Sequence, residues 1–442
     1  MANKKILILG AGLAGLSAAW HLQKKGVDCL IFEKEPEAGG LCRSKNIDGF
    51  TFDYCGHLLH FKERYSFNLI KELLGDNLAE HKKSAWIYSH DRITRHPFQA
   101  NLYGLPKPVI KECLLEFIQA RSNGFPKDKK NISFGDWISQ TFGRGIARHF
   151  MLPYNSKFWT TSLSRITCEW LDGFVPVPTL KEILEGTIEE NKRPSGYNAI
   201  FWYPKRGGIQ EIPRLLSSGI KNLHTLSEAV RLDIKNKKVY FKNGNIQEYD
   251  VLIFTLPLPE IINLSEELPE SILGCLKRLR YNSIFNLNLG IDKKDISGKH
   301  WIYFPDKKFT FFRLGFFSNF SNASAPKNSS SLYIEVAYSK EKTLNKNTVV
   351  NRIINKMHDA DVLNSSDKIL VKDINDIKYG YIIYDKAREK ALNRIKVFLN
   401  KNNIFCLGRY GSWRYLSMED VLLDGKAVAE GFYGIGKYKT LS

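Results

Sequence analysis

Three glycines in GAGLAG, at Gly10, Gly12 and Gly15, and an acid 23 residues after the first, Glu33, are spaced to handle a nucleotide. Gly10 permits a tight turn, Gly12 lets the backbone close on a pyrophosphate, and Gly15 lets a helix and a strand pack closely. A helix opening at that point aims its free N–H groups and partial positive charge at the phosphates. Glu33 is placed to accept hydrogen bonds from ribose hydroxyls. Far downstream, LGRYGSWRYLSMEDVLLDG (Leu407–Gly425) sets two arginines among aromatic rings, just ahead of an apolar-periodic helix opening at Asp420. Rings and guanidinium groups beside a helix N-terminus suit a flat, anionic group.

The elements that must hold these residues are legible around them. KILILG is a short buried strand, SAAWHLQKKG a helix closed by Gly26, and VDCLIFEK a second strand ending on the acid. That strand–turn–helix–strand order is the context a dinucleotide fingerprint requires. EKEPEAGGLCRS, from Glu33 to Ser44, runs on into a Gly–Gly turn with Arg43. SEAVRLDIKNKKVYFKNGNIQEYDVLIFTLPL, from Ser227 to Leu258, reads as a hairpin turning at Asn243-Gly244, then a buried strand stopped by prolines. IFCLG returns a further strand to the same sheet. Between these pieces lie a mainly helical insertion (PVIKECLLEFIQARSNG, TLKEILEGTIEENKR) and one that mixes strands (FNLNLGI, KHWIYF, SSLYIEVAYS) with helices. The expected class is α/β, a Rossmann-like nucleotide-binding domain built from 1–90, 196–262 and 400–442. Residues 91–195 form the helical insertion and 263–399 an α+β substrate domain.

Bulk properties agree with a soluble, multi-domain protein. The chain has 442 residues, 43% hydrophobic and 25% charged, and no apolar run reaches the roughly 18 residues of a membrane span. The N-terminus passes straight into a strand without a signal pattern. Seven cysteines without paired short spacings point to reduced thiols, hence a cytoplasmic setting. No CxxC or HxxxH pattern suggests a metal site; His57 and His60 stand alone. The net charge of +19 is scattered over separate segments, and no nucleic-acid motif accompanies it. Nucleic acid is therefore not expected as a partner, while weak peripheral membrane contact and the oligomeric state stay open.

EKEPEAGGLCRS resembles the FAD-wrapping stretch of amine-oxidase-like flavoproteins. The resemblance implies an FAD domain of the GR2 type, contacted by Gly10, Gly12, Ala14, Gly15, Glu33, Lys34, Gly40, Leu41 and Arg43. It also implies that backbone near Val230 holds the adenine, that Gly408 and Arg409 form a cofactor-contacting turn, and that N–H groups from Met418 face the flavin. RHPFQANLYGLP, YNSKFWTTSLSRITCEWLDGFVPVP, YPKRGGIQEIP, WIYFPDKKFTFFRLGFFSNFS, the Gly56-His57 pair and GRYGSW together resemble UDP-galactopyranose mutases, especially the eukaryotic type. That family implies a redox-neutral enzyme using N5 of reduced FAD on a nucleotide-activated sugar. By motif, His57 matches a histidine of a mobile loop over the flavin, Gln99 a uridine contact, Trp159 an aromatic on the sugar side, and Asn198 an active-site asparagine. Tyr381 and Tyr415 match tyrosines that hydrogen-bond the diphosphate.

Four positions depart from the family. Phe174 and Asp292 stand where two phosphate-binding arginines are expected, His96 replaces a tyrosine, and Glu419 replaces an asparagine. Losing two bidentate cation clamps removes much of the affinity for a diphosphate; Arg165, Arg206, Arg313 or Lys157 are candidates to replace them. Two alternatives therefore stand beside the mutase: an FAD-dependent oxidoreductase of the amine oxidase or protoporphyrinogen oxidase kind, and an idle FAD-binding scaffold.

Overall fold

The computed structural model describes residues 4–431, except 125, 127, 172, 173, 192–195, 197, 198 and 266. In chain order the first part comprises β1 (Ile6–Leu9), α1 (Leu13–Lys24), β2 (Cys29–Phe32), β3 (Ser44–Ile47), β4 (Phe50–Asp53), α2 (Arg64–Leu74), β5 (Leu78–Lys82), β6 (Ala85–Ser89) and β7 (Arg92–Arg95). Helices α3 (Lys107–Ser122), α4 (Phe134–Ile146), α5 (Leu152–Trp159) and α6 (Leu180–Ile188) follow. Then come β8 (Ile200–Pro204), α7 (Glu211–Ser218), β9 (Leu223–His224), β10 (Ala229–Asp233), β11 (Lys238–Phe241), β12 (Ile246–Glu248), β13 (Val251–Phe254), α8 (Ile261–Leu264) and α9 (Glu270–Lys277). The last part holds β14 (Ser283–Ile291), β15 (Trp301–Tyr303), β16 (Arg313–Phe316), β17 (Ser330–Tyr338), α10 (Lys346–Asp359), β18 (Ile369–Ile377), α11 (Arg388–Lys401), β19 (Ile404–Cys406), α12 (Gly408–Gly411) and α13 (Met418–Gly431).

Five parallel strands, in the order β19-β13-β1-β2-β9, form the nucleotide-binding sheet. Parallel strands buried on both faces read as continuous apolar runs, and ILIL and VLIF do so. Ile6, Ile8, Ile31 and Ile253 belong to the core that includes Leu16, Ala18 and Leu22 of α1 and Leu422 of α13. Leu7, Leu9, Leu252 and Phe254 enter a second core with Val239 and Phe241 of β11 and with residues of α9 and α11.

The second sheet has seven strands in the order β18-β14-β17-β16-β15-β6-β7. Its alternation is visible in β14, SIFNLNLGI. Phe285, Leu287, Leu289 and Ile291 join the core containing Val349, Ile353 and Met357 of α10. Asn286 and Asn288 point the other way and are fully buried. On that polar face Asn375, Asn286, Glu335, Arg313 and Tyr303 are register partners across five adjacent strands. Helices α3 to α6 build a separate core around Phe117, Phe142 and Trp159.

These boundaries differ from the sequence reading. β6, expected in the nucleotide-binding part up to residue 90, and β7, expected in the helical insertion from residue 91, are hydrogen-bonded into the seven-stranded sheet. Conversely, α9 and α11, expected in the 263–399 substrate part, pack on the nucleotide-binding sheet. Both are amphipathic neighbours of a buried strand, and sequence periodicity names the buried face without naming its partner. Among the described residues no helix is long and apolar enough to cross a membrane.

Candidate active site

The turn after β1 is a cradle. Gly10 has φ +95°, and a Cβ at Gly15 would run into the Gly10 carbonyl oxygen, so only hydrogen fits between α1 and the turn. Glu33 accepts from the Ala11 N–H at 2.8 Å and the Glu35 N–H at 3.0 Å, which fixes its carboxylate at the end of β2 beside the glycines. Gly12 bridges to Gly39, and Gly40 lies against Gly12. Arg43 donates to the Gly40 carbonyl (2.9 Å) and to Glu35 (3.2 Å) with Tyr54 beneath it, so it braces the Gly–Gly turn. Ala14 meets Gly408, and Cys42 Sγ lies 3.7 Å from Met418 Sδ at the start of α13. Two helix N-termini and two glycine turns thus converge; Leu41, next to Gly40 in the chain, is half-buried. Lys34 and Val230 are exposed, Lys34 loosely beside Glu35 and Val230 in β10.

Beyond the cradle, Arg409 lies over the rings of Tyr415 (4.5 Å) and Tyr381 (5.1 Å), which stack on each other at 6.1 Å. Its Nη1 reaches the Leu416 carbonyl at 3.4 Å, while Nε and Nη2 are enclosed without a partner. The His57 Nδ1 is likewise enclosed without a partner. Burial, and then the Arg409 cation beside it, push the His57 imidazole down to about 4, so it is neutral at ordinary pH. Tyr381 is set by Asn282: its N–H donates to Asn282 Oδ1 (2.7 Å), and Asn282 Nδ2 donates to the Phe158 carbonyl (2.7 Å). The Tyr415 N–H donates to the Tyr384 hydroxyl at 2.7 Å. Arg313 and Glu335 form a bidentate pair, with Nη2 to Oε1 at 2.7 Å.

Buried polar atoms without partners in native proteins call for an explanation. Here they are two N–H-bearing nitrogens of Arg409 and one ring nitrogen of His57 at the mouth of a glycine cradle, which is what an anionic dinucleotide with ring acceptors would satisfy. The residues present therefore fit FAD. Gly10, Gly12, Gly15 and Glu33 suit the pyrophosphate and ribose, and Arg409, His57 and the N-terminus of α13 suit the ring end.

Other sequence candidates lie elsewhere. Trp159 is fully enclosed, edge-on to Phe158 and Trp170, and stands behind Tyr381. Gln99 is enclosed, donates to the Pro176 carbonyl at 2.8 Å, and leaves Oε1 without a partner. Asn198 lies outside the described residues. Phe174 sits edge-on to Tyr415 at 5.0 Å. Asp292 is a correction: it is exposed past the far end of β14, about 30 Å of extended strand from the Asn282 end, and cannot stand in for a cavity residue. Lys157 is also excluded as a phosphate ligand, because its ammonium is held by the Phe304 and Phe311 carbonyls (2.6 and 3.2 Å) and that of Asp306. Arg165 is exposed on Glu341 and Arg206 is exposed. Glu419 faces away, accepting from the Lys62 and Glu63 N–H groups at the start of α2. Asn282 and Glu335 were missed, and Arg313, named as a substitute phosphate ligand, is found paired with Glu335; the alternation Asn–Leu–Asn–Leu in β14 was the one signal that this sheet face is polar.

A family model described as flavin containing amine oxidoreductase matches residues 13–431. A coproporphyrinogen III oxidase of Staphylococcus aureus is 21% identical over 339 residues, which is 67% of this chain and 70% of that protein. A solved structure of reduced UDP-galactopyranose mutase superposes with a TM-score of 0.92 at 27% identity, covering 98% of this chain and 96% of the other. A putative protoporphyrinogen oxidase from Exiguobacterium superposes at 0.77 with 14% identity, covering 98% and 99%, a likeness of fold alone.

Proposed function

The chain belongs to the flavin containing amine oxidoreductase family, and from that membership we propose that it is a sugar pyranose–furanose mutase-like enzyme acting on a nucleotide-activated sugar. The observation that carries the reading is the full-length likeness to reduced UDP-galactopyranose mutase, at 27% identity and a TM-score of 0.92. Bound in its reduced form, FAD supplies a nucleophilic nitrogen, so the side chains need not provide a nucleophile.

The chain's own residues then bind, orient and exclude water. Arg409, flanked by Tyr381 and Tyr415, sets a cation at the ring end of the cofactor, where its charge also favours a departing phosphate. The two hydroxyls add donors; the backbones that carry them are tied to Asn282 and Tyr384, and the rings stack on each other under Arg409. His57 is neutral and serves as a hydrogen-bonding group rather than an acid. Glu335 is committed to Arg313, so it does not act as a general base. A site without a free acid–base pair among these groups suits chemistry in which the cofactor carries the covalent work. A cytoplasmic setting, with a small-molecule substrate and a supply of reductant, belongs to the same reading.

The second reading is an FAD-dependent oxidoreductase, supported by the coproporphyrinogen III oxidase relatives. One experiment separates the two. Dithionite-reduced holoprotein is given UDP-galactose and other nucleotide sugars anaerobically, and the products are resolved by chromatography. Ring-form interconversion without net redox change is expected. If every nucleotide sugar is returned unaltered, while coproporphyrinogen bleaches the oxidised flavin, the mutase reading is lost and the oxidase reading gains.

A further inference from the structure

The seven-stranded sheet ends on β7 at one side and on β18 at the other. β7 is a protected edge, with four residues and an arginine at each end. β18 has nine residues, no proline, and no strand beyond it among the described residues. A bulge leaves Leu370 without a register partner, so the regular stretch is 371–377. The Asn282 carbonyl accepts the Gly380 N–H at 2.8 Å, and the Asp292 N–H donates to the Lys368 carbonyl at 2.9 Å. Even-numbered residues of β14 therefore turn their backbone groups toward β18, where Asn286 and Asn288 meet Asn375 and Asp373. The N–H and C=O groups of Lys372, Ile374 and Asp376 are left on the outer side. Among the described residues none of them has a hydrogen-bond partner.

The side chains on this edge are also uncovered. Leu370 is 52% exposed and Ile374 48%, and Lys372 is exposed between them. The Asp376 carboxylate takes Lys346 and the Tyr338 hydroxyl, yet stays 42% exposed. An unpaired edge is a template for another strand, and 371–377 is complementary to itself. Antiparallel pairing about a two-fold axis at Ile374 uses the whole regular stretch. It sets Ile374 on its own copy, Lys372 opposite Asp376, Asp373 opposite Asn375 and Val371 opposite Ile377. In that register Lys372–Asp376 and Ile374–Ile374 exchange main-chain hydrogen bonds. Moving the axis by one residue sets Ile374 against Lys372 or against Asp376, and placing it at Lys372 sets that ammonium against itself.

We propose that β18 is an interface for a second copy of this chain: two copies join edge to edge, antiparallel about Ile374, and the sheet continues from one to the other. The proposal makes no use of the reaction proposed above and stands or falls without it. One added strand on each copy is a small interface, so a dissociation constant of about 10 μM sets the scale of the test.

Sedimentation velocity of the holoprotein, from well below to well above that concentration, is expected to show monomer passing into dimer. Lys372→Asp and Asp376→Lys each set like charges opposite one another twice per dimer. Each should weaken association about ten-fold or more, with urea midpoints as the control for folding. An equimolar mixture of the two variants restores both opposite-charge pairs and should form a heterodimer with an affinity close to that of the wild type. Should Asp376→Lys fail to fold, since it also loses Lys346 and Tyr338, hydrogen exchange of the wild-type Lys372 and Ile374 amides reads the edge directly. Their protection is expected to rise with protein concentration. A holoprotein that stays monomeric throughout, a dimer indifferent to both substitutions, or a mixture that does not associate would each overturn the proposal. So would Lys372 and Ile374 amides protected alike at every concentration, which would mean that another segment of the same chain covers the edge.

Discussion

Glu419 offers the sharpest test of how the site is held. Helix α2 begins after Glu63 with no side-chain cap of its own. The capping acceptor is instead borrowed from α13: the buried Glu419 carboxylate takes the Lys62 N–H at 2.9 Å, the Glu63 N–H at 2.8 Å and the Ser66 hydroxyl. Replacing Glu419 by alanine removes a cap worth about 2 kcal/mol at the upper end of the measured range and a carboxylate at a helix N-terminus worth about 1 kcal/mol. The expected loss is about 3 kcal/mol of local stability, which corresponds to amide exchange on the order of a hundred-fold faster. Glu419→Gln keeps the volume and one acceptor but turns an NH2 toward two backbone donors, and should lose about half as much. Hydrogen exchange of the Lys62 and Glu63 amides and of the first turn of α2 reads this directly. Because α13 also presents its N-terminus to the cofactor cradle, the alanine variant should release FAD faster as well. Unchanged protection at Lys62 and Glu63 in the alanine variant would refute the reasoning, since no other side chain is hydrogen-bonded to them among the described residues.

Three further outcomes are expected. Gly15→Ala places a methyl against the Gly10 carbonyl oxygen and should yield protein purified without flavin absorbance; normal flavin content would show that the turn can relax. Lys157→Met leaves three carbonyl oxygens without their donor and should destabilise by about 2 kcal/mol or more in urea unfolding; an unshifted midpoint counts against that role. His57 titrates at about 4 in the fold against an ordinary 6.5. The unfolded chain therefore takes its proton first as pH falls, so the stability His57 contributes is whole above pH 6.5 and is lost on the way down to 4. The unfolding midpoints of wild type and His57→Gln should converge across that window, and parallel curves would exclude the assignment.

The nucleotide cradle was legible because its signals are local. Gly10, Gly15 and Glu33 lie within one strand–helix–strand unit, and their geometry follows from which residues lack a side chain and which carries a charge. The cavity was legible only in part. Tyr381, Tyr415 and Arg409 come together as the motif comparison implied, but Trp159, equally aromatic and taken from another matching motif, is put one layer behind by tertiary packing. Asp292 shows the limit most plainly. Strand periodicity gives the face a residue occupies, not which end of the strand meets the cavity, and a nine-residue strand has two very different ends. Glu419 could be flagged as unusual, but its partners lie on α2, more than 350 positions away in sequence, where no local rule reaches.

The strand order of the nucleotide-binding sheet has a consequence during synthesis. β1 lies between β2, which follows it almost at once, and β13, whose neighbouring Asp250 is hydrogen-bonded to Lys5 across 245 positions. At roughly 5–20 residues per second on the ribosome, that partner is made about 12–50 s later. For that interval ILIL exposes one unpaired edge and two apolar faces, and the outermost partner, β19, arrives later still. An unpaired parallel strand of this kind is a template for aggregation. A nascent chain arrested before residue 251 should therefore be held by chaperones, and one released after residue 406 should not.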